Sequence, residues 1–190
     1  SALANIDTDK QYYNSLKSSK IAILDSGFFC ILLRIFKFKK VKKLSGFLFL
    51  KNFLDEFSNK QKILFIDPTK KSNLINIKFL KSKNISNFRS YIAPNYDKKF
   101  IDTKLLKLIN SYKPKYIIIN IGGGSQEPLA IYLSKNIKYK ISIMCTGAAI
   151  AFMTGEQAPI NKFIDKIYLG WLTRILWKPK LYLGRILKSF

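Results

Sequence analysis

"IIINIGGGSQEPLAIYL", residues 117–133, begins with three isoleucines and Asn120, passes through Gly122–Gly124, and continues with apolar residues at helical spacing. A β-rich run entering a glycine loop and then a helix is the βα half of a parallel unit. Glycines without Cβ let backbone N–H groups approach a diphosphate, and the helix behind them adds potential that favours negative charge. The loop is neither GxGxxG nor GxxxxGK[ST], so it is not a dinucleotide fingerprint or a P-loop. A plain tight turn explains the glycines equally well. Gln126 and Glu127 stand directly behind them.

The same alternation extends outward. Residues 9–20 predict a polar helix, 21–25 (IAILD) a strand, and 28–38 a largely buried helix. Phe47, Leu50, Phe53, Leu54 and Phe57 recur at helical spacing, and KILFIDP reads as a strand stopped by Pro68. After a helix-and-strand region with Asn-rich loops, DTKLLKLINSYKP predicts a helix capped by Asp102 or Thr103. KYIIIN and YKISIMC are the next strands. Strands alternating with helices predict an α/β fold, Rossmann-like, with a mostly parallel sheet flanked by helices. The composition changes near residue 160, dividing a domain of residues 1–159 from a basic amphipathic appendage of residues 160–190.

A chain of 190 residues with 48% hydrophobic content is long enough to bury a core. Lys and Arg number 34 against 11 Asp and Glu, a formal charge of +23. Either a polyanionic partner or an AT-rich coding bias produces such an excess. Histidine is absent, which removes Ser-His and Cys-His catalysis and leaves carboxylates as candidate general bases. Cys30 and Cys145 lack CxxC spacing and read as reduced, buried thiols. The most apolar run, residues 21–36, is interrupted by Asp25 and Arg34 and is shorter than the ~20 residues a spanning helix needs.

Open α/β sheets bind ligands beyond the carboxyl ends of their strands. Three such ends stand out. At Asp25-Ser26-Gly27 an acid closes an apolar run; it either caps the next helix or, partly desolvated, accepts a proton. Gly122–Gly124 is the second. The third, CTGAAIAFMTGEQAP (residues 145–159), has Thr146-Gly147 at a strand end, then small residues that allow close helix packing. Asp7-Thr8-Asp9 matches a metal-binding DxD, but at a helix start capping explains it. In the appendage Trp171, Trp177 and other aromatics interleave with Lys162, Lys166, Arg174, Lys178, Lys180, Arg185 and Lys188. That pattern suits an interfacial helix on anionic lipid, or a helix pair docked on the core.

In their order these segments resemble the WecG/TagA/CpsF glycosyltransferase family from about residue 9 to 188. The family's Asp-Gly is similar to Asp25 with Ser26 inserted before Gly27, and its Arg-Val-Thr-Gly to Lys43-Leu44-Ser45-Gly46. Its Gly-x-Pro-x-Gln-Glu resembles Gly122–Glu127, with Gly124 in place of proline. Its Val-Gly-Gly-x-Phe-Asp-Phe-x-x-Gly resembles Thr146–Gly155, with Ala151 where the aspartate stands, and its Arg-Ala-Pro resembles Gln157-Ala158-Pro159. Leu-Glu-Trp-Leu-x-Arg-Leu is similar to Leu169–Ile175, with Gly170 in place of glutamate, and is followed by Lys178-Pro179 and Arg185. The family's first strand, carrying Thr-x-Asn, is expected upstream of Ser1.

The resemblance implies an inverting, metal-independent transferase without a cofactor. It would move an N-acetylhexosamine from a UDP-sugar to an undecaprenyl-diphosphate-linked acceptor at the cytoplasmic face of the plasma membrane. Asp25 would be the base. Lys43 and the Gly122, Gly123 and Gly124 amides would neutralise the UDP, and Gln126, Glu127, Thr146, Gly147, Arg174 and Arg185 would complete the substrate site. Two other readings compete: an inactive membrane-bound scaffold of the same family, and a basic nucleic-acid-binding module. Scattered lysines and aromatics on apolar faces speak against the second, so no nucleic acid is expected. The oligomeric state stays open.

Overall fold

In the computed structural model, which describes residues 6–37, 42–57, 59–97, 100–158, 170–177 and 179, the ILFID run is strand β1, Ile63–Asp67. All five of its residues are buried. An apolar run without polar alternation is what a strand covered on both faces requires. It pairs in parallel with β2 (Phe88–Ile92) on one side and β3 (Tyr116–Ile119) on the other, and β3 pairs in parallel with β4 (Ser142–Cys145). The strand order is β2-β1-β3-β4. The chain winds outward from β1 in both directions, so the switch point lies between the carboxyl ends of β1 and β3.

The helices are α1 (Lys10–Lys17), α2 (Gly27–Lys37), α3 (Gly46–Phe57), α4 (Lys70–Ser82), α5 (Thr103–Tyr112), α6 (Gln126–Asn136), α7 (Ala149–Met153) and α8 (Gly170–Trp177). On one face of the sheet Leu64, Ile66, Ile117 and Ile119 meet Leu105 and Ile109 of α5 and Leu129 and Leu133 of α6. On the other, Ile63, Phe65 and Ile118 meet Leu50, Phe53 and Leu54 of α3, Leu80 of α4 and Ile150 of α7. Each of those large side chains contributes about 1.5–3 kcal/mol on burial. Caps follow from the sequence: Asp9 accepts from Tyr12 N at 2.9 Å, Thr69 from Ser72 N at 3.1 Å, and Asp102 from Leu105 N at 2.9 Å. Asp102, rather than Thr103, is the cap of α5, and it also accepts from the Tyr91 and Tyr96 hydroxyls.

Three local expectations are corrected. Residues 21–25 form no strand; Ile21 is 83% exposed, and Leu24 O accepts from Leu44 N at 2.9 Å rather than joining the sheet. An apolar run needs a neighbouring ladder to become a strand, and this one meets a single loop residue instead. Helix α2 is not largely buried: Cys30 is fully covered, but Phe36 is 72% exposed. It contacts α8 rather than lying flat on the sheet. Cys145 is exposed at the end of the outermost strand, whereas Cys30 is buried.

Most of the proposed appendage, including Arg185, and its boundary at Pro159 lie outside the described residues. Helix α8 is the described part, and the Arg174 side chain lies outside the described residues. Among the described residues no helix is long and apolar enough to cross a membrane.

Candidate functional site

Asp67 ends β1 at the switch point and is wholly buried. Its Oδ1 accepts from Asn76 Nδ2 and Asn120 Nδ2, both at 2.8 Å, and its Oδ2 from Asn73 Nδ2 at 2.9 Å. Asn73 and Asn76 stand one turn apart on α4 and so present both amides to the strand end. Three charge-assisted hydrogen bonds offset part of the desolvation cost of the carboxylate. Asn76 Oδ1 is buried without a hydrogen-bond partner among the described residues. These side chains fill the crevice where an open α/β sheet usually takes its ligand. The loops after β3 and β4 stand at the same carboxyl edge.

In the first of those loops Gly122 and Gly123 are exposed, and a Cβ on Gly122 would meet nothing within 4 Å. Gly124 has φ +87°, a left-handed conformation that glycine adopts without strain. Its N–H donates to Glu127 Oε2 at 2.7 Å, so this amide is already engaged within the chain. Gln126 donates through Nε2 to Glu127 Oε1 at 2.9 Å and accepts through Oε1 from Gly147 N at 2.9 Å. The start of α6 thus ties the β3 loop to the β4 loop. Helix α1 packs on α6, and Tyr12 is buried there; burial, then the charges of Glu127 and Asp9, push its phenol up. Thr146, half-buried, donates to Asn120 Oδ1 at 3.0 Å and has Ile119 O at 3.3 Å.

Asp25 belongs to a second group. The expectation of a partly desolvated carboxylate at a strand end does not hold: Asp25 is exposed, because residues 21–25 lie off the sheet. Its carboxylate rests on the first residue of α3, where a Cβ on Gly46 would lie 3.0 Å from Oδ2. Leu44 N donates to Leu24 O, so the segment ending in Asp25 and the Lys43–Gly46 segment are joined through backbone as well. Burial pushes the Cys30 thiol up; Arg34 and Lys43 draw it down and Asp25 adds a smaller push up, so all three charges act on it. Phe47 meets Phe152 of α7 edge-on at 6.2 Å, which brings the start of α3 to the helix that follows Thr146-Gly147. A groove of about 400 Å³ between α3, α4 and α7, lined by Phe47, Lys51, Asp55, Phe79 and Met153 among others, contains neither Asp25 nor Lys43.

The two sequence-predicted groups therefore assemble as Asp25 with Lys43 and Gly46, and Gly122–Gly124 with Gln126, Glu127, Thr146 and Gly147. Sequence reasoning passed over Asp67, Asn73 and Asn76, and noted Asn120 only as the end of a strand. The available signal was an aspartate closing an apolar strand, followed by two asparagines three apart in the next helix. Asp9 acts as the cap expected of it, and among the described residues no three His, Cys, Asp or Glu side chains cluster to hold a metal.

The chain belongs to the WecG/TagA/CpsF glycosyltransferase family, whose profile matches residues 1–190. No curated protein is similar enough to count as a match.

Proposed function

We propose that this member of the WecG/TagA/CpsF family moves an N-acetylhexosamine from a UDP donor to a polyprenyl-diphosphate-linked acceptor, with inversion. The observation that carries the reading is the contact between Asp25 and Gly46, in which two segments about twenty residues apart, both similar to family motifs, meet at one point. Exposure leaves the Asp25 carboxylate open to an acceptor hydroxyl. Asp25 takes the proton as that oxygen attacks the anomeric carbon, and the bond from carbon to the diphosphate oxygen breaks with its electrons on UDP. Lys43 and the backbone at Gly122 and Gly123 neutralise the leaving group, since the Gly124 amide is occupied by Glu127. Gln126 and Glu127 hold the two loops in register and offer their remaining polar atoms to the donor.

Residues 160–190 are the membrane-associating part in this reading, with Arg174 and Arg185 closing over the diphosphate. Leu176 is 75% exposed on α8, and the exposed Ile35 and Phe36 lie on the helix it contacts. An apolar surface within a strongly basic chain suits an anionic bilayer and supports a position on the inner membrane face.

The test uses the full-length chain carrying Asp25→Asn. Transfer is lost while UDP binding persists. If Asp25→Asn transfers at the wild-type rate, the base is elsewhere. A wild-type chain that binds UDP but transfers no sugar from any UDP donor to a lipid-diphosphate acceptor is a scaffold instead. Liposome flotation with and without residues 160–190 checks the membrane role, and equal flotation would remove it.

A further inference from the structure

We infer that Thr146 reads a hydrogen-bond donor on the donor substrate, a hydroxyl or amide N–H rather than a phosphate oxygen, and that Asp67 and Asn120 set this preference. The inference rests on the proposed UDP-sugar reading and deepens it.

A carboxylate has no proton to give, so Asp67 can only accept from Asn120. The Asn120 amide is thereby oriented with Nδ2 toward Asp67 and Oδ1 toward Thr146. Asn120 is 6% exposed, and Ile66 O accepts from its backbone N at 2.8 Å, which holds the whole residue in place. Both groups facing the Thr146 hydroxyl, Asn120 Oδ1 at 3.0 Å and Ile119 O at 3.3 Å, are acceptors. Ile119 O already accepts from Thr146 N at 3.0 Å and Gly147 N at 3.1 Å, so the nearer Asn120 Oδ1 takes the single hydroxyl proton, and that proton points inward. Only oxygen lone pairs remain for anything that arrives from solvent, and lone pairs repel a phosphate oxygen while accepting from O–H or N–H. The polarity of a half-buried hydroxyl at the β4 loop is thus decided by a buried acid on β1, two strands away.

One further feature fits this role. Asn73 and Asn76 hold Asp67 from the α4 side, so its carboxylate cannot turn away from Asn120. Asp67 and Asn120 are positioning residues, and Thr146 is the contact.

Such a donor occurs in the uracil ring and ribose of the nucleotide and in the hydroxyl and acetamido groups of the sugar. Titration of the full chain with inorganic pyrophosphate, uridine, UDP and a UDP-N-acetylhexosamine separates these sources. Thr146→Val, close to isosteric, weakens the ligands carrying the recognised donor by roughly 3- to 10-fold and leaves pyrophosphate unchanged. Loss toward uridine and UDP places the donor on the nucleoside, and loss toward the UDP-sugar alone places it on the sugar. Thr146→Ser restores binding. Asp67→Asn, which frees the Asn120 amide to turn, weakens the same ligands in the same ratio; a purely structural acid would lower thermal stability without that selectivity. Equal affinities for Thr146→Val and wild type, or a parallel loss toward pyrophosphate, overturn the inference. A wild type that binds UDP-sugar with this selectivity yet transfers no sugar overturns the proposed reaction alone, and one that binds none of the ligands overturns both.

Discussion

Gln126 Oε1 accepts the Gly147 amide proton at 2.9 Å, joining the first residue of α6 to the loop after β4. The same side chain donates to Glu127, whose other oxygen holds Gly124. Gln126→Ala removes two side-chain hydrogen bonds at a buried position and costs about 1–3 kcal/mol. Gly147 keeps its bond to Ile119 O at 3.1 Å, so the strand end survives while the loops lose register. Chemical denaturation measures the stability loss, and a larger relative loss of UDP affinity is expected alongside it.

Gly46→Ala separates stability from chemistry. The new Cβ would lie 3.0 Å from Asp25 Oδ2 and 3.5 Å from Cγ, so the carboxylate must swing aside. Alanine is the better helix former by up to ~1 kcal/mol, and the displaced group is a mobile side-chain end. The melting temperature holds or rises, while the transfer rate falls about tenfold because the proposed base is moved from its place. Unchanged transfer would separate Asp25 from the reaction.

Asp25 and Asp67 each follow an apolar run, yet alanine at the two sites has opposite consequences. Asp67→Ala orphans three buried asparagine amides and destabilises the fold by about 3 kcal/mol or more. Asp25→Ala, at an exposed position, changes stability by no more than about 0.5 kcal/mol. Urea titrations of the two variants against wild type check the contrast.

Alkaline pH probes the Tyr91–Asp102 contact. Burial first, then the hydrogen bond and charge of Asp102, push the Tyr91 phenol from 10.0 up to about 12. An unfolded chain releases that proton near pH 10 and the folded chain holds it longer. The stabilisation is therefore complete below pH 10 and disappears as pH rises through about 12. Tyr91→Phe is less stable than wild type by about 1 kcal/mol below pH 10, and the gap closes across that window. A gap constant from pH 8 to 12 would show that the phenol is not held by Asp102.

The exposed face of α2 and α8 gives the last prediction. Ile35→Ser with Phe36→Ser leaves stability within about 0.5 kcal/mol per site, because neither side chain is in the core. Flotation with anionic vesicles weakens if α2 shares the membrane face with α8. Undiminished flotation would confine that face to residues 160–190.

Residues 117–133 show how much could be read directly. Ile117–Ile119 and the helix beginning at Gln126 follow from local pattern, as do β1, β4, α3 and the Asp102 cap, because period and capping chemistry act within a few residues. The parallel character of the sheet followed from the alternation of these elements, its four strands from the structure, and the ordered motifs identified the family. IAILD misled because composition carries no record of whether a ladder partner exists. Cys145 misled because a short outer strand leaves its end uncovered.

The sequence by itself determined a basic α/β member of a glycosyltransferase family without histidine, and the motif residues that are candidates for its site. Only the tertiary structure decided which aspartate is plugged into the switch point and which stays open to solvent. It alone showed that Gln126 and Glu127 spend much of their bonding capacity on the chain's own loops, and that the polarity of Thr146 is set from β1. The reason is physical: local propensity is written in neighbouring residues, whereas burial and hydrogen-bond direction depend on groups brought together from distant parts of the chain. Asp67 and Asn120 are 53 residues apart in sequence and 2.8 Å apart in the fold.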